Sequence, residues 1–273
     1  AVLGTGEIWL RVPETIRIEI NGELPANVMS KDVILRIIGD LTAAGATYRA
    51  LEFTGDTVEA MSLSSRMTMA NMGIEAGAKC ALFAPDEKTA EYLGIELTEA
   101  ERALAGDADA PCEKVLRYRA EDFVPVMALP SNVDHVAAIR DLEPVAIDQV
   151  FLGSCTNGRL EDLMAAAEIL KGKHIAPFVK LIVTPASRKI WEEAEANGTL
   201  ATLSAAGAMI THPSCGLCCG RTGGILSDGE RVVATNNRNF LGRMGSSKVE
   251  IYLASPKSAA ASALTGRLTE AAC

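Results

Sequence analysis

Runs of β-branched residues alternate with stretches of helical period along most of this chain, and that alternation constrains its fold more than any other feature. Thr15 to Ile20 predicts a strand, with Asn21-Gly22 as the turn behind it. Ser30 is placed to cap a helix in which Val33, Ile34, Ile37, Ile38 and Leu41 share one face, and Gly45 to end it. Tyr48 to Phe53 predicts a strand, Ser62 to Ala76 a Met-rich helix, Cys80 to Ala84 a short buried strand, and Pro85-Asp86 the start of a helix closing near Gly94. Thr98 to Ser131 is charged and broken by Gly106, Pro111 and Pro130, so we expect an excursion joining two domains. Beyond it come a strand at Ile147 to Leu152, a helix at Leu160 to Leu170 closed by Gly172, and a strand at Phe178 to Val183. A helix at Ser187 to Ala196 and a strand at Ala208 to Ile210 complete the pattern. The expected fold is α/β, with two successive three-layer α/β/α domains, 1–126 and 127–273, built on mainly parallel sheets.

Composition narrows the function. With 273 residues the chain can bury one large or two ordinary cores, and aromatics at 4% leave Ala, Val, Leu, Ile and Met to fill them. A net charge of -9 with no local basic patch argues against nucleic acid or an anionic membrane surface as partner. No apolar run is long enough to cross a bilayer; even Ser258 to Leu264 is short and followed by Arg267. The opening Ala1-Val2-Leu3-Gly4-Thr5-Gly6-Glu7 has neither an initiator Met nor a leader pattern, and we expect a cut end with sequence missing upstream. Seven cysteines, three of them between Cys215 and Cys219, do not resemble a disulfide framework; they point to a reducing cytoplasm and a metal or redox site.

The chemistry gathers on three segments. Ligands of open α/β sheets bind beyond the carboxyl ends of strands, and Gly153-Ser154-Cys155-Thr156-Asn157-Gly158 follows a strand directly. Cys215-Gly216-Leu217-Cys218 follows another, and its spacing lets two thiolates reach one metal centre from a single turn. On spacing alone, iron-sulfur, zinc with His212 as fourth ligand, and dithiol redox chemistry all remain open. Cys80, Cys112 and Cys219 read as free buried cysteines. Asn237, Arg238 and Arg243 lie in Thr235-Asn236-Asn237-Arg238-Asn239-Phe240-Leu241-Gly242-Arg243, a strip suited to carboxylates because guanidinium binds them bidentately and stays charged when desolvated. Taken alone, those arginines could equally pair with Asp228 or Glu230 on a solvated loop.

Taken together, the motifs resemble the aconitase and isopropylmalate dehydratase superfamily. The resemblance is carried by Gly153 through Leu163, by the Cys215-Gly216-Leu217-Cys218 turn and by Asn237 through Arg243, in order and at family spacing. Leu51 to Gly55, Arg66 to Lys79 and Ala84 to Thr89 extend it to nearly the whole chain, in the manner of isopropylmalate dehydratase and homoaconitase large subunits. The resemblance implies a [4Fe-4S] cluster held by Cys155, Cys215 and Cys218, with one iron open as a Lewis acid. It further implies that Arg238 and Arg243 hold substrate carboxylates, that Asn237 hydrogen-bonds at the cluster, and that Glu52 handles the proton on the leaving hydroxyl. Without the family, Glu52 reads as a strand-end carboxylate paired on the surface.

The implied activity is a hydro-lyase acting on a hydroxy di- or tricarboxylic acid, 3-isopropylmalate ahead of homoaconitate, citrate or dimethylmalate. A cluster-binding sensor and a zinc or dithiol protein are the other classes considered. Leu217 stands where the family has Pro, and Cys219 adjoins Cys218; the spacing from Cys215 favours Cys218 as ligand. The family's upstream segment with its active-site histidines, and the swivelling domain or small subunit with its serine base and further arginine, are both expected to lie outside this chain. Alone, the chain is expected to be inactive.

Overall fold

A computed structural model describes residues 1–107 and 109–272; Ala108 and Cys273 lie outside the described residues. Strands β1 (Glu14–Asn21), β2 (Arg49–Thr54), β3 (Cys80–Phe83) and β4 (Lys114–Arg119) form an all-parallel sheet in the order β3-β2-β1-β4. A second sheet contains β5 (Val126–Ala128), β6 (Val136–Ala138), β7 (Gln149–Gly153), β8 (Lys180–Thr184), β9 (Met209–Ile210), β10 (Arg231–Ala234) and β11 (Glu250–Leu253). Its order is β6-β5-β11-β10-β7-β8-β9, parallel except where β5 pairs with β6 and β11. The α/β class with mainly parallel sheets is therefore as expected.

The helices are α1 (Val2–Thr5), α2 (Ser30–Leu41), α3 (Asp56–Ala60), α4 (Leu63–Met72), α5 (Glu87–Leu93) and α6 (Glu99–Arg102), followed by α7 (Leu160–Leu170), α8 (Arg188–Ala196), α9 (Thr199–Ala205) and α10 (Pro256–Thr265). A 3-10 turn, Gly73–Ala76, prolongs α4. Among the described residues, no helix is long and apolar enough to cross a membrane.

Helix α2 explains how the sheets join. Val33, Ile34, Leu35, Ile37 and Ile38 are all fully buried, which is more than one apolar stripe provides, because α2 is covered on more than one side. Its core includes Ile16, Ile18, Leu51 and Phe53 of the first sheet and Phe151, Ile182, Val232 and Leu253 of the second. At roughly 1.5–3 kcal/mol for each large side chain fully buried, this helix is a major source of cohesion. On the far face of the second sheet, Val150, Leu152, Leu181 and Val183 pack on α7, α9 and α10. β7 is thus buried on both faces, which is why Val150, Phe151 and Leu152 follow one another without a polar residue between them. Strands up to Arg119 belong to the first sheet and those from Val126 to the second, while the core around α2 serves both.

Two expectations are corrected. The stretch Thr98 to Ser131 is not merely an excursion, since β4 within it pairs with β1; its alternation of Leu116 and Tyr118 with the exposed Val115, Arg117 and Arg119 is that of an edge strand with a largely charged outer face. Cys80 is exposed rather than buried, because β3 is the opposite edge of that sheet. Cys112 and Cys219 are half-buried.

Candidate metal centre and anion site

The first cysteine loop leaves β7 at Gly153, whose φ is +153°, and a Cβ there would lie 2.5 Å from the Thr184 carbonyl oxygen. Thr235, just past β10, pins this point twice: its Oγ1 accepts from Gly153 N at 2.9 Å and donates to Gly153 O at 2.6 Å. Ser154, Thr156 and Asn157 are buried, so the loop hides its polar neighbours and presents Cys155, which is exposed. Asn157 Nδ2 donates to Asp162 Oδ1 at 3.2 Å, and Arg159 N to Asp162 Oδ2 at 3.1 Å, closing the loop onto the start of α7. Burial pushes the Asp162 carboxyl up to about 7.

The second loop follows β9. Cys218 N donates to Cys215 O at 2.9 Å, and the 3-10 turn Gly216–Cys219 ends at Gly220, whose φ of +64° and 2.8 Å Cβ approach to Arg243 O suit only glycine. Cys215 is exposed and Cys218 half-buried. Arg243 spans this turn, its Nε donating to Cys218 O at 2.8 Å with a terminal nitrogen 4.0 Å from Cys218 Sγ. Cys219 instead donates back to Gly216 O at 3.5 Å. Burial, and then the neighbouring Cys219, Cys218 and Cys155, raise the Cys215 thiol above its ordinary range. Both loops pass Thr184 at the end of β8: a Cβ on Gly153 would lie 2.5 Å from its carbonyl oxygen and one on Gly216 3.8 Å from its Oγ1.

The third segment leaves β10. Asn237 Nδ2 makes a short hydrogen bond to Asn71 Oδ1, which also accepts from Thr156 Oγ1 at 3.1 Å. Arg238 Nε donates to Glu75 Oε1 at 2.8 Å, and the Glu75 side chain is only 7% exposed. The alternative partners do not take the arginines: Asp228 pairs with Lys248 at 2.7 Å and Glu230 with Lys180 at 3.6 Å. Asn236 and Asn237 each bury a side-chain oxygen that has no partner among the described residues, an acceptor suited to a donor brought by a hydroxyl group or water. Beneath the segment, Lys31 Nζ donates to Thr235 O at 3.0 Å and Asn236 O at 2.8 Å.

Thr156 beside Cys155 and Asn237 are therefore linked through Asn71, Arg238 is held by Glu75 one turn further on, and Arg243 is fastened to the turn that carries Cys215 and Cys218. Glu52 is not brought to them. On β2 its neighbours Leu51 and Phe53 point into the core, so the strand's alternation turns Glu52 to the other face, where it pairs with Arg17 at 2.9 Å. The carboxylate at the site is Glu75, which the sequence reading missed; the signal was the spacing of Asn71 and Glu75, one turn apart in an otherwise apolar Met-rich segment.

The donor set suits an iron-sulfur cluster. Three soft thiols from two loops, with a guanidinium beside one sulfur, match the ligand chemistry of clustered iron. Among the described residues, no three His, Cys, Asp or Glu lie together closely enough to share one metal ion, but a cluster takes its thiolates on separate irons. His212, the fourth ligand considered for zinc, stacks on Trp191 with ring centroids 6.1 Å apart.

A sequence model described as the Aconitase family (aconitate hydratase) matches residues 1–266. The chain is 50% identical over 270 residues to 3-isopropylmalate dehydratase large subunit 1 of Methanopyrus kandleri, covering 99% of this chain and 65% of that protein. It is 46% identical over 269 residues to 3-isopropylmalate dehydratase large subunit 2 of Archaeoglobus fulgidus, covering 98% and 65%. Against 3-isopropylmalate dehydratase large subunit 1 of Pyrococcus furiosus it is 47% identical over 268 residues, covering 97% and 63%. The chain thus spans about 65% of the length of the first two of these relatives.

Proposed function

The chain belongs to the aconitase family, and from that premise we propose that it forms the cluster-bearing part of a hydro-lyase large subunit acting on a hydroxy di- or tricarboxylic acid, with 3-isopropylmalate as substrate. The observation that supports this reading is that both thiol loops and the Asn237 to Arg243 segment leave the carboxyl ends of strands in one sheet, with Arg238 paired to Glu75 and Arg243 fastened to the Cys218 turn. A [4Fe-4S] cluster held by Cys155, Cys215 and Cys218 would supply a Lewis acid that polarises a substrate hydroxyl.

The chain's own residues do the rest. Glu75 engages only Nε of Arg238, which leaves the terminal guanidinium nitrogens to grip a carboxylate bidentately. Arg243, fastened to the Cys218 carbonyl, offers a second cationic contact. We assign to Glu75, in place of Glu52, the holding and release of the hydroxyl proton at its carboxylate oxygens. Asn237, oriented by Asn71, keeps an amide oxygen free to accept from the substrate hydroxyl or water.

The names of the relatives support a partnership with a small subunit. The six described cysteines are free, in keeping with a reducing cytoplasm. The test is turnover by the full-length protein, loaded with iron and sulfide and mixed with a relative's small subunit. Consumption of 3-isopropylmalate with growth of ultraviolet absorbance from the unsaturated acid is expected. Turnover of citrate or homoaconitate alone would correct the substrate, and none with any of the three would sink the proposal.

A further inference from the structure

Lys31 is fully buried in the first turn of α2, in the layer between the two sheets. Its ammonium donates to the carbonyls of Thr235 and Asn236, at 3.0 and 2.8 Å, and its third direction meets Met72 Sδ at 3.5 Å. Among the described residues no carboxylate lies within ion-pair distance of it. A buried ammonium with only neutral partners is costly, and an apolar side chain of the same length, such as Met, would pack against Met72 without that cost. The position of Lys31 must therefore be explained by what it holds.

What it holds is a pair of carbonyls at β10's exit: Thr235 N still donates to Phe151 O of β7 at 3.0 Å, but the carbonyls of Thr235 and Asn236 turn to Lys31. β10 ends at Ala234, whose carbonyl accepts from Ala254 N; the next two carbonyls have left the ladder and point to Lys31. Those two residues immediately precede Asn237 and Arg238. Asn71 and Glu75 fix the side chains of that pair, but only Lys31 among these residues grips the backbone that carries them. Cys218 packs against the same core as Met72, on which the ammonium rests, so negative charge arriving on Cys218 on ligation arises near Lys31; Asp162, Cys218, Glu75 and Asp32 all favour its charged form. Its proton is held at neutral pH even though burial lowers it to about 8.

We propose that Lys31 is a positioning residue: it fixes the backbone that carries Asn237 and Arg238, and it supplies the buried positive charge that offsets the ligating Cys218 thiolate. The second half rests on the cluster reading above; the first does not. The experiment uses the full-length protein and Lys31→Met, read first by hydrogen exchange in the cluster-free state. Peptides spanning 235–243 are expected to exchange at least about tenfold faster, as expected for loss of hydrogen bonds to a charged donor, while those of α7 keep the parent's rates. In the iron-loaded protein the midpoint potential is expected to move to more negative values and iron to leave to a chelator about tenfold faster. Unchanged exchange over 235–243, or faster exchange spread evenly over the molecule, would overturn the positioning role. If the parent itself takes up no iron and sulfide, the proposed function fails, and the exchange result still decides the case of Lys31. Should Lys31→Met not fold, Lys31→Gln, which keeps a donor without the charge, is expected to retain more protection over 235–243 yet show the more negative potential; parental values of both would overturn the proposal.

Discussion

Glu75 and Glu52 lie in the same half of the chain and differ in what they face. Glu75, itself almost fully buried, meets the partly exposed Arg238, whereas Glu52 is tied to Arg17 on the opposite face of the first sheet. Replacing Glu75 by Gln is therefore expected to lower kcat roughly 10²–10⁴-fold in the assembled, iron-loaded enzyme. Glu52→Gln should leave kcat within about twofold and cost less than about 1 kcal/mol in a thermal melt, the worth of a partly exposed ion pair. Steady-state rates of the two variants settle it, and the opposite ranking would return the role to Glu52. Cys155, Cys215, Cys218, Arg238 and Arg243 stand out as candidates in the sequence because their residue types are unusual in those patterns. Glu75 was not, since a glutamate in a helical stretch reads as solvated until the fold brings Arg238 against it. Lys31 was hidden for the same reason: next to Asp32 at a helix start it looks like an exposed cap.

At the scale of elements, α2 repays attention because it buries a carboxylate as well as a lysine. Asp32 is fully buried, accepts from Met29 N at 2.9 Å and Val126 N at 3.1 Å, and so ties the first turn of α2 to β5 of the second sheet. Burial pushes its carboxyl up to about 7. An acid whose folded pKa is raised favours the folded state while protonated, so its contribution is fully present below the ordinary value of 3.8 and is lost as pH rises through about 7. The unfolding free energy of the parent minus that of Asp32→Asn should accordingly fall between about pH 4 and pH 7, by roughly 1.4 kcal/mol per pKa unit at most, with the other carboxylates cancelling. A difference that is flat or rises over that window would contradict this reading. On the same helix Ile38→Ala is expected to cost about 2–5 kcal/mol by urea unfolding, because both sheets close around it. The apolar period of α2 and the strict run Leu160 to Leu170 were readable from the sequence. β4, β10, β11, α9 and α10 were not: the strands are only four to six residues long, and β4 is masked by its charged outer face, while α10 owes its burial to Ala259, Ala260 and Ala263, whose small side chains carry little periodic signal.

For the molecule as a whole, two sheets share the layer that contains α2, the loops beyond β7 and β10 meet α4, and Leu217 of the loop beyond β9 is buried in the same core. The alternating pattern and the three motifs predicted this class of architecture and this end of the sheet. That α2 and α4 reach across to contribute Lys31, Asn71 and Glu75 depends on packing between segments more than 80 residues apart, which no local pattern carries. The central claim is that Cys155, from the first loop, and Cys215 and Cys218, from the second, bind one cluster. The most direct measurement is the iron, sulfide and zinc content of the full-length protein after anaerobic reconstitution, beside Cys155→Ser. About four irons and four sulfides per chain, with the intact cluster lost in the variant, is the predicted result. Zinc in place of iron, or uptake indifferent to Cys155, would contradict it.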